Sequence, residues 1–232
     1  MANAVTVPGK IQCFVLFDTE TTGLPSVGNN PRITELCFLA LTRDELEIKH
    51  AQVRVMNKLC LCFNPRKRIS PTSTDLTGER EYYSVLQQLA PFKTQASMVC
   101  QFLQNLPQPV CLVAHNGNGY DFPLLVAHLK ASHQQVPDVL CADSLEAFRS
   151  FDGLPPVPDF VLRDSRKETK SKVSYSLPKI FYRVFGQQPL VSHTAEDDCR
   201  TMLQVIRGSA ITKFSQWCDQ NAVSLRSISP MY

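Results

Sequence analysis

The sequence predicts an α/β domain in which helices flank a mixed sheet. Three observations support this prediction. Apolar, strand-like runs come first along the chain, strand-like and helical segments then alternate, and the last third is helical apart from one proline-rich interruption. Such an order is typical of a sheet that combines antiparallel and parallel pairs. With five candidate strands, the expected sheet is five-stranded.

The strand predictions rest on short apolar runs. Residues 11–17, with the sequence IQCFVLF, form a continuous apolar run that ends at Asp18, which is typical of a buried strand. Two further strand-like segments, residues 32–42 and 58–63, follow after short connections, so these three strands are expected to pair antiparallel. The remaining candidate strands are residues 110–114 and 139–142.

The helix predictions rest on apolar residues that recur every three or four positions. In residues 94–106 the spacing places Met98, Phe102 and Leu106 on one apolar face. Residues 151–172 contain three closely spaced prolines and then a basic cluster, so we expect a long flexible loop there. The expected helices are residues 79–89, 94–106, 122–130, 177–185, 195–207 and 211–220, with a further helical stretch from residue 143 to the loop.

The overall composition is that of an ordinary globular chain. Hydrophobic residues make up 44% and charged residues 19% of 232 residues, which excludes a disordered or fibrous protein and suffices for a sizeable core. Neither a linker nor a repeat divides the chain. We therefore expect an N-terminal tail over residues 1–10 and a single domain over residues 11–232.

Cysteines and apolar stretches indicate the compartment. The nine cysteines are an odd number without a Cys-x-x-Cys pair, which is typical of reduced thiols. No apolar stretch approaches the roughly 18 residues of a transmembrane helix, and no signal peptide is visible. The sequence therefore predicts an intracellular protein, nuclear or cytosolic, that lacks a membrane anchor.

The charge distribution leaves two interpretations open. The net charge of +3 is too small to indicate a nucleic-acid-binding protein by itself. However, the segment from Arg163 to Arg183 holds seven basic residues and only two acidic ones. It is either a solvated loop or a mobile arm that contacts phosphates.

The pair Asp18 and Glu20, and separately Asp121, are the first two places in the chain where acidic residues suggest a common site. Asp18 and Glu20 follow the first strand and face the same way, because side chains alternate along a strand. Alone, this pair is equally compatible with solvated charges at a strand exit. Asp121 precedes a helix, where an aspartate often serves as an N-cap, and Pro123 suits the first turn. Its position nevertheless places Asp121 on the helix face that carries Leu124.

A third acidic position opens the helix that follows His193. Thr194 is a candidate cap for this helix, and acids in a first turn are expected from the helix dipole alone. Asp198, however, lies at the margin of the apolar stripe, where a carboxylate is costly unless a cation meets it. A lone histidine in a loop such as His193 is usually structural or exposed.

Taken together, these carboxylates predict a metal site. Each lies where an element opens into a loop, so they can converge at one end of the sheet. Clustered carboxylates repel one another unless a counter-charge is present, and hard oxygen ligands suit Mg²⁺ or Mn²⁺. Two such ions stabilise the attacking and leaving oxygens of a phosphoryl displacement, and a histidine that titrates near neutrality can accept the proton of the attacking water.

The order of these residues resembles a known family. Asp18-x-Glu20, Asp121, and His193 followed five residues later by Asp198 is similar to the pattern of the DEDDh 3′→5′ exonucleases of the DnaQ-like, ribonuclease-H-like superfamily. The resemblance to the animal three-prime repair exonucleases is closer still. The matching stretches begin at Phe17 (FDTETTGLP), Cys111 (CLVAHNG), Tyr120 (YDFPLL), Ser174 (SYSL), His193 (HTAE) and Pro230 (PMY).

The resemblance implies a ribonuclease-H-like fold and a role for each motif residue. Asp18, Glu20 and Asp198 are expected to ligate two Mg²⁺ ions directly, with Asp121 completing the set through water. Mn²⁺ is expected to substitute for Mg²⁺. His193 is expected to be the general base.

The resemblance also implies a set of substrate contacts. Glu20 and the backbone at Thr21 and Thr22 are expected to meet the terminal 3′-hydroxyl, and Leu24 is expected to wedge against the terminal bases. From the turn chemistry alone, an ordinary Gly/Pro turn would be preferred at Leu24. Further contacts to the terminal nucleotide and nearby phosphates are assigned to His115, Tyr120, Ser174 and Tyr175.

Departures from the family pattern are few. Gly119 replaces an arginine of one mammalian branch, and Asp197 stands where a glycine is common. A proline-rich insertion of that branch is missing between Glu47 and Lys58. The hydrophobic C-terminal extension that anchors that branch to a membrane is also missing, because the sequence ends at Tyr232. The chain is therefore expected to be similar to the short, unanchored branch.

The leading hypothesis is a Mg²⁺-dependent 3′→5′ exodeoxyribonuclease that releases deoxynucleoside 5′-monophosphates from single-stranded or frayed DNA 3′ ends. The resemblance also implies a homodimer, with residues 58–63 as the candidate edge strand. One alternative is an exoribonuclease of the same superfamily, because the sequence does not reveal a 2′-hydroxyl pocket. Another is a non-catalytic module that binds DNA ends.

Overall fold

The apolar run predicted as the first strand lies in the interior of a mixed sheet. The computed structural model describes residues 9–26, 29–48, 52–70, 83–157, 173–190, 194–209 and 211–232. Over these residues the sheet has the strand order β3-β2-β1-β4-β5-β6. The strands are β1 (Cys13–Thr21), β2 (Ile33–Thr42), β3 (Asn57–Cys62), β4 (Val110–Ala114), β5 (Leu140–Asp143) and β6 (Val223–Ser224).

The sheet combines antiparallel and parallel strand pairs, as the order of strands and helices along the sequence predicted. Strand β1 pairs antiparallel with β2, and β2 pairs antiparallel with β3, as the short connections predicted. On its other side β1 pairs parallel with β4, which pairs parallel with β5. The prediction of a mixed sheet is therefore confirmed.

The predicted strand count of five is wrong, because the described sheet contains six strands. Strand β6 consists of two residues, Val223 and Ser224, which pair antiparallel with Cys141 and Leu140. A two-residue strand is too short to show the alternation from which strands are recognised.

Helices cover both faces of the sheet. The described helices are α1 (Arg43–Glu47), α2 (Tyr83–Leu86), α3 (Phe92–Gln104), α4 (Asp121–Ala131), α5 (Ser144–Phe151), α6 (Leu177–Phe185), α7 (Ala195–Ser209) and α8 (Ile211–Asn221). The sequence did not predict α1, a single turn capped by the Thr42 side chain. Part of the predicted helix 79–89 and residues 158–172 of the predicted loop lie outside the described residues.

Alternation along the strands divides the apolar residues into two cores. Phe14 and Leu16 of β1 pack in the core beneath helix α7. Val15 and Phe17 point the other way, into the core beneath helices α3 and α4. Each core removes a large apolar area from water, which is the main force that holds the helices on the sheet.

The apolar face predicted for helix α3 coincides only in part with the face that the structure buries. Met98 is 47% exposed, whereas Ala96, Val99 and Leu103 are fully buried. The helix is therefore rotated relative to the predicted face, because Val99 and Leu103 together fill the space above the sheet. Phe102 remains at the margin, where its ring stacks on Phe38 with 5.6 Å between centroids.

The cysteines are free thiols, as the sequence predicted, and most of them are buried. In the part of the chain that the structure describes, no helix combines the length and the apolar character needed to cross a membrane.

Candidate active site

Three carboxylates converge where β1 leaves the core. Asp18 and Glu20 are half-buried on the same face of β1, and Asp198 comes from helix α7, which packs on β1 and β2. One carboxylate oxygen of each residue lies within 4.8 Å of those of the other two. The structure thus brings together three of the acids that the sequence singled out.

The start of helix α7 sets the position of Asp198. The Thr194 hydroxyl oxygen accepts a hydrogen bond from the Asp197 backbone N–H at 3.1 Å, and the Asp198 N–H donates to the Thr194 carbonyl. The Thr194 hydroxyl donates in turn to the Asp197 carboxylate at 2.9 Å, which joins the two side chains at the helix start. Asp197, which the sequence left without a role, therefore fixes the helix start, while buried Cys199 and Met202 anchor the helix.

Asp121 does not occupy the helix cap that the sequence suggested. It is the first residue of α4, is 5% exposed, and accepts a hydrogen bond from the Thr19 hydroxyl at 2.7 Å. Tyr120 occupies the cap position. Sequence reasoning missed Thr19, although its place between Asp18 and Glu20 directs it to the opposite face of β1.

Burial, together with nearby negative charge, raises the pKa values of two of these acids. Burial, followed by the nearby Asp121, Asp198 and Glu20 carboxylates, raises the pKa of Asp18 well above its usual value. Burial raises the pKa of Asp121 to about 7, against the opposing effect of the Thr19 hydrogen bond. Acids with raised pKa values in one cluster need a nearby positive charge to remain ionised at neutral pH.

A divalent cation fits this arrangement. Asp18, Glu20 and Asp198 offer hard carboxylate oxygens from two adjoining elements, the ligand type that Mg²⁺ and Mn²⁺ prefer. A cation held there would offset the repulsion that raises the pKa of Asp18.

The segment before Asp121 is tied into the protein through His115. The Ser144 hydroxyl lies 2.9 Å from Nδ1 of His115, and the Tyr175 carbonyl lies 2.8 Å from Nε2. A carbonyl only accepts, so Nε2–H donates to it and Nδ1 accepts from Ser144. Burial lowers the pKa of His115 to about 4, so its ring is neutral at pH 7. Both ring nitrogens are engaged within the protein.

The predicted contacts around the 3′ end lie close to β1. The Tyr120 hydroxyl is 2.6 Å from the Thr21 hydroxyl and 2.9 Å from the Gly23 carbonyl. Thr22 is buried, and its hydroxyl accepts from a backbone N–H. Leu24 is 75% exposed.

The basic part of the predicted loop, residues 163–172, is called the basic loop below. The two predicted phosphate contacts that follow it differ in exposure. Ser174 is exposed, whereas the Tyr175 side chain is buried and its hydroxyl donates to the Asp152 carboxylate. Guanidinium groups lie over the Tyr175 ring, with Arg183 at 4.9 Å from its centroid and Arg149 at 5.7 Å. Tyr175 therefore presents its backbone, not its ring, to the His115 segment. His193, the predicted general base, lies outside the described residues.

Gly117 has no room for a side chain, which gives a test of the segment's packing. A Cβ atom there would lie 2.7 Å from the Ala114 Cβ and 2.7 Å from the Phe122 ring. We expect Gly117→Ala to lower the free energy of unfolding by about 1–3 kcal/mol, because overpacking shifts β4 against α4. At Gly119 the nearest atom, 3.1 Å away, is the end of the Asn116 side chain. Urea unfolding of Gly117→Ala and the control Gly119→Ala checks this; equal stabilities would contradict it.

Comparisons with known proteins agree with the site. Residues 15–206 match the family model described as "Exonuclease". The chain is 36% identical to three-prime repair exonuclease 1 of Bos taurus over all of this chain and 74% of that protein. It is 34% identical to three prime repair exonuclease 2 of Homo sapiens over 96% of this chain and 94% of that protein.

Solved structures show the same fold at low sequence identity. The nuclease domain of 3′hExo, a DEDDh family member bound to rAMP, superposes with a TM-score of 0.64 at 12% identity, over 92% of this chain and 96% of that one. Exonuclease I superposes with a TM-score of 0.65 at 13% identity, over 88% of this chain and 43% of that one. The fold is thus ribonuclease-H-like, as the sequence predicted. The chain therefore belongs to the exonuclease family and is a 3′-exonuclease related to the three-prime repair exonucleases.

Proposed function

We propose that this enzyme is a Mg²⁺-dependent 3′→5′ exodeoxyribonuclease that releases deoxynucleoside 5′-monophosphates. The observation that supports this most is the convergence of Asp18, Glu20 and Asp198 within 4.8 Å. Relatives that are about one third identical over nearly the whole chain are named three-prime repair exonucleases. The proposal combines the metal-binding chemistry of this cluster with the 3′ end that the names of these relatives give as the site of attack.

The acidic cluster would hold two Mg²⁺ ions, for which Mn²⁺ would substitute. Asp18, Glu20 and Asp198 would ligate the ions directly, and Asp121 would bind them through water. When bound, such ions supply charge that stabilises the attacking and leaving oxygens of an in-line displacement. The carboxylates would set the position of that charge. The hydrogen bond from the Thr19 hydroxyl would fix the orientation of the Asp121 carboxylate.

His193 would accept the proton of the attacking water. It immediately precedes Thr194, which caps the helix that presents Asp198. This sequence position links the proposed base to the proposed ligand through one short segment. A histidine titrates close to neutral pH, as this proton transfer requires.

The end of β1 and the residues that follow it would hold the terminal nucleotide. Glu20 and the backbone at Thr21 and Thr22 would meet the 3′-hydroxyl, and the exposed Leu24 side chain would pack against the terminal base. Tyr120, whose hydroxyl binds Thr21, would keep this segment in place. Of the further predicted contacts, His115 would lie beside the terminal nucleotide, where its engaged ring nitrogens leave it a packing role. Exposed Ser174 would lie towards the neighbouring phosphate.

Matched substrates test the choice of DNA over RNA. We expect release of mononucleotides from a single-stranded DNA oligonucleotide, and slower release from RNA of the same sequence. An oligodeoxynucleotide with one 3′-terminal ribonucleotide locates the discrimination at the last sugar. Faster cleavage of RNA would favour the exoribonuclease alternative. Tight binding of DNA ends without any cleavage would favour the non-catalytic module.

The basic loop is proposed to bind the strand beyond the terminal nucleotide without taking part in the chemistry. Each phosphate contact on a single strand adds about 0.7 to the slope of log affinity against log salt, so removing four basic side chains should flatten this slope. We expect KM to rise on long single strands and to stay nearly constant on a dinucleotide. The residues to replace by alanine are Arg166, Lys167, Lys170 and Lys172.

A control variant makes this prediction specific. Lys93 and Lys130 are exposed lysines on helices α3 and α4, and replacing both by alanine should change the slope less. Loss of dinucleotide cleavage in the quadruple variant would mean that the loop shapes the active site. Unchanged slopes would mean that the loop is merely solvated.

The chain is further proposed to form a homodimer through strand β3. This strand lies at one edge of the described sheet, and its residues Leu59 and Leu61 are only half-buried. An apolar edge strand exposes unpaired backbone groups that favour pairing with another strand. Light scattering at micromolar concentration should give twice the chain mass of 26.1 kDa. A mass near that of one chain would contradict the dimer.

A further inference from the structure

The Asp143 carboxylate links the end of β5 to the segment that carries Asp121. It is 3% exposed and accepts three backbone hydrogen bonds. The N–H groups of Asn116 at 2.9 Å and Asn118 at 3.0 Å come from the neighbouring segment, and the N–H of Leu145 at 2.9 Å comes from helix α5. The third bond is an ordinary N-cap, whereas the first two join separate parts of the chain.

The segment that Asp143 holds is a tight turn. Asn116 has a φ of +62°, in the left-handed region. The turn is closed by hydrogen bonds from the Gly119 N–H to the Asn116 carbonyl and from the Phe122 N–H to the Gly117 carbonyl. The carboxylate stabilises this conformation, because it satisfies the two N–H groups that the turn directs towards β5.

The same turn delivers two side chains to β1. The Tyr120 hydroxyl meets the Thr21 hydroxyl at 2.6 Å, and Asp121 accepts from the Thr19 hydroxyl at 2.7 Å. Thr19 and Thr21 flank Glu20 along β1. A displacement of the turn would therefore be transmitted to both sides of Glu20.

We propose that Asp143 is a positioning residue that fixes Asp121 and Tyr120 relative to the acidic cluster. This inference rests on the proposed function, in which the cluster and Asp121 hold Mg²⁺. Residues that orient metal ligands through hydrogen bonds commonly change metal affinity or activity by about 10–100-fold when replaced. Asp143 does not contact a metal ligand itself and acts through the backbone of the turn that carries Asp121.

Two substitutions separate the positioning role from the capping role. Asp143→Ser keeps a hydroxyl that caps helix α5 at Leu145, but its side chain is too short to reach the turn. Asp143→Asn keeps the shape of the side chain and replaces one accepting oxygen by an NH₂ group. Asp138→Asn is the matched control, because Asp138 is an exposed residue nearby whose carboxylate pairs with Arg226 at the surface.

Mn²⁺ binding measured by calorimetry gives a readout that does not require activity. We expect Asp143→Ser to bind Mn²⁺ about tenfold more weakly than wild type and to need correspondingly more Mg²⁺ for half-maximal cleavage. Its kcat on a dinucleotide should fall more than its KM rises. Asp143→Asn should lie between Asp143→Ser and wild type, and Asp138→Asn should match wild type.

The outcomes distinguish this inference from the proposed function. Wild-type Mn²⁺ affinity and kcat in Asp143→Ser would overturn the inference, even if its melting temperature fell, since only a cap would then have been lost. If Asp143→Ser does not fold, Asp143→Asn decides the question, and its Mn²⁺ affinity must be weakened. An inactive wild-type enzyme would refute the proposed function, while the Mn²⁺ titrations would still decide the role of Asp143.

Discussion

Asp18→Asn should leave a folded protein whose nuclease activity is reduced by roughly 10³-fold or more in Mg²⁺. Asp18 is at the centre of the acidic cluster, and its carboxylate is one of three whose oxygens lie within 4.8 Å of one another. Asparagine has nearly the same shape but lacks the negative charge that a cation needs. The expected loss is therefore in kcat rather than in folding.

The same substitution should stabilise the metal-free protein. Burial and neighbouring acids raise the pKa of Asp18, so the folded state loses stability as the pH rises through that pKa. A neutral asparagine removes this loss, and we expect the melting temperature in EDTA at pH 7 to rise by about 2–4 °C per kcal/mol recovered. Added Mg²⁺ should raise the melting temperature of the wild type more than that of the variant.

Calorimetric melting and steady-state cleavage, measured on the same preparations, check both expectations. The control is Asp44→Asn, because Asp44 is an exposed acid in the first turn of helix α1. It should keep wild-type activity. Near-wild-type cleavage by Asp18→Asn in Mg²⁺ would refute the assignment of the metal site to this cluster.

His193→Ala should lower kcat by about 10²–10⁴-fold while binding of single-stranded DNA persists. Removing a general base eliminates proton transfer in the transition state but leaves the groups that hold the strand. If His193 is the base, the acidic limb of the rate–pH profile should disappear in the variant. A pH series from 5.5 to 9 with a saturating oligonucleotide measures this.

A second histidine provides the control for this series. His133 is exposed after helix α4 and has a φ of +57°, so we choose His133→Asn, since asparagine tolerates that conformation. Its profile should match that of the wild type. An acidic limb that survives in His193→Ala would show that another group titrates there, and His193 would then only position the substrate.

The sequence predicted best those elements whose pattern is local and continuous. Strand β4 was predicted with its bounds, because a parallel strand buried on both faces is an uninterrupted apolar run. Helix α6 was also predicted with its bounds, since Gly186 in the left-handed conformation ends it. Strand β6 and the rotation of α3 depend on distant partners and leave no local pattern.

The candidate site shows the same division. Alternation along β1 correctly placed Asp18 and Glu20 on one face, and the apolar stripe of α7 placed Asp198 at its margin. The contacts of Asp121 with Thr19, and of His115 with the Tyr175 carbonyl, join residues 102 and 60 positions apart. Such contacts follow from packing, and single-sequence patterns do not record them.

Digestion of a 5′-labelled single-stranded DNA oligonucleotide, with Mg²⁺ and with EDTA, tests the central claim most directly. We expect labelled products that shorten stepwise from the 3′ end in Mg²⁺, and no cleavage in EDTA. Restoring Mg²⁺ should restore the ladder. Cleavage that persists in EDTA, or immediate release of the labelled 5′ nucleotide, would contradict the account.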